Sequence, residues 1–163
     1  MTLVDSPYTH ILIPIALTVI VNAVVRPGST GYTKNPWIPP GYIVGAVWTL
    51  LFGILGYTHY LLYRKGLWQA CMAVEFLLLF YILYPFLHHF SFNMNGLDSC
   101  LCASSMRKGV TNRFRNEKMA RALNQISLLL TLFVTAFLYN LSFPISYMIP
   151  VLLWLTYVNI VTL

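Results

Sequence analysis

Residues 36–66 read PWIPPGYIVGAVWTLLFGILGYTHYLLYRKG, and this stretch decides the fold. Between Pro40 and Arg64 the chain carries no Asp, Glu, Lys or Arg. A helix needs about 20 mostly apolar residues to cross a hydrocarbon layer of about 30 Å. Because proline cannot donate a backbone hydrogen bond, Pro39 and Pro40 suit the start of a helix. The stretch therefore predicts a membrane-spanning helix over residues 42–63.

The composition of the whole chain has the same character. Charged residues make up 9% of the 163 residues and hydrophobic residues 58%, whereas a soluble domain carries roughly 25% charged residues. Ten Lys and Arg with four Asp and Glu cannot cover a soluble domain of this size with a polar surface. The composition excludes a soluble enzyme, a nucleic-acid-binding module and a disordered tail. We therefore expect an integral membrane protein.

Four further apolar runs bring the number of predicted spans to five. The predicted spans are 8–25, 42–63, 67–87, 124–143 and 145–163. Their apolar runs are continuous and not alternating, which excludes a barrel. The chain start carries Asp5 but no Lys or Arg, which argues against a signal peptide. We expect a single all-α domain over 1–163, a five-transmembrane-helix bundle with a long basic loop at 88–123.

The distribution of basic residues predicts the orientation of this bundle. Arg64 and Lys65 lie on the side of the N-terminus, and the other eight Lys and Arg lie on the opposite side. This asymmetry predicts an outside N-terminus and a cytosolic C-terminus. The basic segment 106–121 either fixes this topology or also attracts anionic lipid headgroups.

Small residues recur every four positions in the second predicted span, at Gly41, Gly45, Thr49 and Gly53. Such a stripe forms a smooth helix face that another backbone can approach closely. On physical grounds alone, a packing seam is the favoured interpretation. A second copy of the chain is a candidate partner, which would give a homodimer.

The same stretch carries a specific motif. Trp37-x-Pro39-Pro40-x-x-x-Gly45-x-Val47-Trp48, followed by Leu51-Phe52, Gly56-Tyr57 and Tyr60-Leu61, resembles the translocator protein family (TspO/MBR, peripheral benzodiazepine receptor). Its members are also called tryptophan-rich sensory proteins. The resemblance resumes at Tyr84-Pro85 and at Pro150-Val151-Leu152-Leu153-Trp154. It implies a five-helix membrane protein that binds tetrapyrroles such as protoporphyrin and haem, sterols and benzodiazepine-type drugs, in a pocket beneath the first loop.

The resemblance carries over to seven positions, which are Trp37, Pro39, Pro40, Gly45, Val47, Trp48 and Trp154. Apolar and aromatic walls with a few polar groups suit a flat macrocycle, and we expect Tyr32 beside Trp37 and Trp48 at the pocket entrance. The candidate ligand-binding residues are Tyr32, Trp37, Pro39, Pro40, Gly45, Trp48, Tyr81 and Trp154. For the tryptophans, anchoring at the membrane–water interface is the alternative.

The sequence also departs from the family pattern. Where the family has Asn-Trp-x-Trp-Pro, this chain has Tyr81-Ile82-Leu83-Tyr84-Pro85. Tyr81 could donate a hydrogen bond to a ligand in place of the missing Asn, with a different reach. Family members associated with sterols often carry Leu/Val-x-Tyr-x-Lys/Arg at the end of the fifth span. Here no Lys or Arg follows Tyr157, so the pattern is incomplete and argues against sterol binding.

Glu75 is the only acid within a predicted span, which makes it a functional candidate. His59 and Glu75 lie seven and nine residues from the turn at Gly66, at depths of about 10 and 14 Å. We expect a buried interhelical pair between them. Its role is either structural, because it satisfies two buried polar groups, or functional, as a polar floor of the cavity.

The remaining motifs carry no chemistry. No Ser-His-Asp arrangement or phosphate-binding glycine loop occurs, so we expect no catalytic residues and no enzyme. His88-His89 with Cys100-x-Cys102 fits no standard zinc spacing, so no metal is expected. No cofactor is required, with porphyrin or haem as the candidate ligand.

The sequence therefore predicts a membrane-embedded binding protein for tetrapyrroles, sterols or similar flat apolar ligands. It would act as a sensor, carrier or scaffold, with the lipid bilayer and a small apolar ligand as partners and no nucleic acid. Two alternatives stay open, namely a porphyrin-degrading enzyme, which the resemblance suggests, and an adaptor that has lost ligand binding. The resemblance implies the outer mitochondrial membrane for a eukaryotic source and the cell envelope for a bacterial one.

Overall fold

The computed structural model describes residues 6–25, 37, 39–97 and 108–162, and over these ranges the chain is helical with no strand. The elements in chain order are α1 Pro7–Val25, α2 Gly41–Arg64, α3 Trp68–Leu97, α4 Lys108–Asn140, a 3-10 turn Ile145–Tyr147, and α5 Ile149–Val161. The predicted all-α fold with five helices is confirmed for these residues.

Within the described ranges, three helices are long and apolar enough to cross a membrane, over Tyr42–Arg64, Trp68–Leu87 and Arg121–Asn140. Two shorter apolar segments, Pro7–Ala23 and Ile145–Val161, complete the bundle. Large apolar side chains point outward, among them Leu50, Phe133 and Leu153, which are 69%, 70% and 66% exposed. Such an apolar exterior suits contact with lipid. The predicted orientation of the termini stays a prediction.

The expected loop at 88–123 is wrong in its extent. α3 continues to Leu97 and α4 already begins at Lys108, so most of this segment extends the two helices. The polar composition suggested a loop, but residues 108–123 contain no proline and are rich in Arg, Lys, Glu, Met and Ala, which favour helices. The structure does not describe the side chains of His88, His89, Cys100 and Cys102, nor most of those in segment 106–121.

The residue at which α2 ends and the residue at which α5 begins follow from local chemistry. Gly66 has a φ of 69°, and the Leu67 amide donates to the Leu62 carbonyl at 3.1 Å, which is how a glycine typically ends a helix. This turn joins α2 to α3. The fifth helix begins at Ile149 and not at the predicted residue 145, because the chain first passes through the 3-10 turn. Pro150 then lies in the first turn of α5, where its missing N–H costs nothing.

α3 lies at the centre of the packing, since it contacts α1, α2 and α4. Its buried residues recur every three or four positions, as expected for one face of a helix, and are Ala70, Cys71, Val74, Leu77, Leu78, Tyr81 and Ile82. α5 packs on α4, and the 3-10 turn contacts α2, α4 and α5.

α4 places an unusual row of polar side chains against α3 and α5. Asn124, Ser127 and Thr131 are all buried. The Asn124 Oδ1 atom accepts a hydrogen bond from the Tyr84 hydroxyl at 2.5 Å, and its Nδ2 donates to Thr162 Oγ1 at 3.3 Å. The Asn159 Nδ2 donates to the Asn124 carbonyl at 3.2 Å. Asn124 therefore ties three helices together.

We expect Asn124→Leu to lower the free energy of unfolding by about 1–4 kcal/mol. The change nearly conserves volume but removes two side-chain hydrogen bonds between helices, each of which is worth about 0.6–2 kcal/mol in a membrane protein. Unfolding in mixed detergent micelles, followed by circular dichroism, measures the difference. Asn140→Leu, at the exposed end of the same helix, is the control, and an equal loss in both variants would contradict this role of Asn124.

Candidate functional site

An aromatic wall forms where α2 meets α3. The Trp48 ring is half-buried and lies 5.8 Å from the Phe52 ring, one turn further along α2. On the other side it lies 5.1 Å from the Tyr81 ring of α3, measured between ring centroids. Both distances are typical of stacked or tilted aromatic pairs. The wall therefore contains two of the predicted ligand-binding residues.

The Tyr81 hydroxyl already has partners inside the bundle. It contacts Thr131 Oγ1 and lies 3.4 Å from the Ser127 carbonyl oxygen, to which it donates. Thr131 in turn donates to the same carbonyl at 2.7 Å. The ring of Tyr81 thus contributes to the wall, while its hydroxyl joins α3 to α4. A ligand that took this hydrogen bond would have to compete with α4 for it.

Trp154 supplies a polar group that lacks a partner. Its side chain packs against the buried core from α5, and its ring lies 5.6 Å from that of Tyr157. The indole Nε1 is buried and has no hydrogen-bond partner among the described residues. A buried N–H without an acceptor costs about 1–3 kcal/mol. The Trp154 indole can therefore donate to a ligand that carries an acceptor.

The described residues of the first loop, Trp37, Pro39 and Pro40, lie at the end of the bundle where α2 begins and α5 ends. Trp37 is 73% exposed, and its carbonyl accepts a hydrogen bond from the Tyr157 hydroxyl at 2.5 Å. Pro39 is half-buried and Pro40 is exposed. The Pro40 carbonyl accepts from the amides of Ile43 and Val44, which starts α2 at the predicted place. Tyr32 lies outside the described residues.

Sequence analysis missed Tyr157. The signal was present, because Tyr157 follows Trp154 by three residues and so lies on the same face of a helix.

An open cavity of about 620 Å³ lies away from these residues, at the α4–α5 turn. Its lining residues are Tyr139, Asn140, Ser142, Phe143, Pro144 and Ile145. None of them is among the predicted ligand-binding residues.

No described residue packs closely on the predicted glycine stripe at Gly45 or at Gly53. A Cβ atom built on Gly45 or on Gly53 would meet no atom within 4 Å. The close approach occurs instead at Gly56, where a Cβ would lie 2.3 Å from the His10 carbonyl oxygen and 3.0 Å from Ile11 Cα. Gly56 lies three residues after Gly53, off the four-residue period that defined the stripe. The contact of Gly56 with α1 could therefore not be predicted from the spacing of residues within α2.

The predicted buried pair of His59 and Glu75 is wrong in its partner and in the burial of the acid. His59 Nδ1 lies 2.8 Å from His10 Nδ1 on α1. Glu75 is exposed, because the rotation of α3 turns the neighbouring Val74 and Leu78 inward instead. The Glu75 carboxylate still acts electrostatically on the His59 ring and on the Cys71 thiol. The rotation of α3 about its own axis was not predicted.

Comparison with known proteins supports the family resemblance independently of this geometry. The profile of the family described as TspO/MBR matches residues 10–107, which is more than half of the chain. The matched range includes His10, the aromatic wall and the whole of α2, whereas Trp154 lies beyond it. Comparison with curated proteins and with solved structures gave no match. The chain therefore belongs to the TspO/MBR family of membrane proteins.

Proposed function

We propose that this protein binds flat apolar ligands of the tetrapyrrole class within the membrane, beside the aromatic wall and Trp154. Membership of the TspO/MBR family supports a membrane ligand-binding or sensor role in general. The observation that carries the specific proposal is the buried Trp154 indole N–H, for which the described part of the chain supplies no acceptor. A ligand with a carboxylate or carbonyl oxygen would supply that acceptor.

A tetrapyrrole matches the chemistry of these residues. Its broad face is apolar and aromatic and can pack on the half-buried ring of Trp48, which Phe52 supports from within the core at 5.8 Å, while its propionate groups accept hydrogen bonds. A sterol would offer a similar apolar body but a single hydroxyl group. A propionate is the stronger acceptor for the indole, because hydrogen bonds to charged groups are worth about 1.5–3 kcal/mol.

We further propose binding without chemical turnover, as a sensor, carrier or scaffold. The wall itself consists of the rings of Trp48, Phe52 and Tyr81, and the Tyr81 hydroxyl contacts Thr131 of α4. Porphyrin breakdown that depends on light or oxygen is the competing activity. It would be seen as a loss of porphyrin absorbance that continues after binding is complete.

Titration with protoporphyrin IX in detergent, followed by tryptophan fluorescence, tests the proposal. The wild-type protein is expected to show saturable quenching. Trp154→Phe keeps an aromatic ring but removes the N–H, so the Kd is expected to rise about tenfold or more, the equivalent of at least about 1.4 kcal/mol.

Trp68→Phe is the matched control. Trp68 is the first residue of α3, is 64% exposed and lies at the opposite end of the bundle, so its Kd should equal that of the wild type. Equal Kd values for all three proteins would remove Trp154 from the site. The absence of saturable quenching in the wild type would favour the adaptor alternative, and bleaching in light but not in darkness would favour the enzyme.

A further inference from the structure

A second polar cluster lies at the other end of the bundle, where α1 begins and α2 turns into α3. His10 lies in the first turn of α1, and His59 lies in the last two turns of α2. Their Nδ1 atoms are 2.8 Å apart, and their ring centroids are 4.9 Å apart. These two residues, called here the histidine pair, form a direct side-chain hydrogen bond between α1 and α2. The proposed ligand-binding function does not use them.

The surroundings of the histidine pair are mostly aromatic. From α2, the rings of Tyr60 and Tyr63 lie 5.6 and 5.5 Å from the His10 ring. From α3, the Cys71 thiol donates to the His59 carbonyl at 3.9 Å, and Glu75, which lies one turn further along α3, is exposed. Among the described residues, the cations at this end of the bundle are Arg64 and Lys65, and Lys65 Nζ lies over the Phe143 ring at 5.1 Å.

A hydrogen bond between two Nδ1 atoms restricts the charge that the pair can carry. One Nδ1 must carry the proton and the other must offer its lone pair. Two neutral rings satisfy this condition, and so does one neutral ring beside one imidazolium, whose charge Glu75 can offset. Two imidazolium rings do not, because each would then direct an N–H at the other across 2.8 Å.

The backbone beneath the pair leaves little room for adjustment. The His10 carbonyl packs directly against Gly56 of α2. A Cβ atom added to Gly56 would lie only 2.3 Å from the His10 carbonyl oxygen. The side-chain hydrogen bond and this backbone contact therefore lie on the same residue of α1. A movement of the start of α1 away from α2 would therefore break both contacts together.

We propose that the histidine pair is an acid-sensitive joint that holds the start of α1 on α2 until both rings are protonated. The closed joint holds at most one of the two extra protons that the separated rings can bind. By linkage, the state that binds more protons gains as the pH falls. Acid therefore opens the joint, and neutral or alkaline pH closes it. The opening exposes the α1–α2 interface at this end of the bundle to the adjoining compartment.

Distance measurement between two spin labels tests this joint. The labels are placed at Tyr8→Cys on α1 and Trp68→Cys on α3, both on exposed positions, in a background with Cys71→Ala, Cys100→Ser and Cys102→Ser. Spectra are recorded in lipid nanodiscs at about pH 8 and about pH 5, on either side of the value of about 6.5 for an ordinary imidazole. We expect one narrow distance at the higher pH and a second, longer population that grows as the pH falls.

Two variants show whether the acid response comes from the histidines or from the Glu75 carboxylate. His10→Asn with His59→Asn keeps groups that can hydrogen-bond but do not titrate, so the distance should be the same at both pH values. Glu75→Gln should keep the acid response, since the histidines remain. An unchanged distance in the wild-type background would overturn the proposal without any variant. So would an acid response that disappears in Glu75→Gln but persists in the double histidine variant.

Discussion

Replacing Gly56 by Ala is expected to lower the free energy of unfolding by about 1–3 kcal/mol, the range typical of overpacking in a close-packed interior. The added Cβ atom would lie 2.3 Å from the His10 carbonyl oxygen and 3.0 Å from Ile11 Cα. Both contacts are with backbone, which cannot rotate away as a side-chain tip can. α1 must therefore shift as a unit, and the hydrogen bond between His10 and His59 is strained with it. Thermal or denaturant unfolding in detergent micelles measures the loss.

Gly53→Ala is the matched control for this prediction. It makes the same change on the same helix, at a position where the new Cβ meets no atom within 4 Å. Because alanine favours a helix over glycine by about 1 kcal/mol, this variant should be as stable as the wild type or more so. Equal destabilisation by the two substitutions would show that α1 does not pack on α2 at Gly56.

Tyr81→Ala is expected to lower the free energy of unfolding by about 3–5 kcal/mol, the range typical of removing a large buried ring. Tyr81 is 3% exposed and contacts Trp48 on one side and Thr131 on the other. Its removal leaves a cavity at the junction of α2, α3 and α4. Dispersion contacts are lost outright there, since no lipid or water can replace them.

Two further variants divide this effect. Tyr81→Phe keeps the ring and removes only the hydroxyl, so it should cost about 1 kcal/mol. Leu83→Ala lies on the same helix at a position that is 48% exposed and should change stability by less than either. If Tyr81→Phe weakened porphyrin binding while leaving stability intact, the hydroxyl would serve the ligand and not α4.

The second helix was the part of the fold best predicted from sequence. Its bounds agree closely with the prediction because both ends carry a chemical mark: Pro40 at the start, and Arg64 with Gly66 at the end. The extensions of α3 to Leu97 and of α4 back to Lys108 could not be found in the same way. Apolar content identifies the part of a helix that lies in lipid, whereas a polar helix that continues into water resembles a loop by composition.

The candidate site was predicted in part, for reasons that are equally physical. The family resemblance selected Trp48 and Trp154 as ligand-binding residues without any knowledge of packing, and that role stays a prediction. The partner of His59 depended on how α1, α2 and α3 are rotated against one another, and depth alone selected Glu75 over His10. Gly56 was missed for the same reason, because its function lies in a contact with α1 that no local pattern within α2 reveals.

A titration of protoporphyrin IX absorbance with the purified wild-type protein tests the central claim most directly, with empty detergent micelles as the control. The claim is that this member of the TspO/MBR family holds a tetrapyrrole at one defined site. The account predicts a shifted absorbance band that saturates at about one porphyrin per chain, since ligand sites are few in a protein of this size. Absorbance that rises without saturation and equals that of the empty micelles would contradict it.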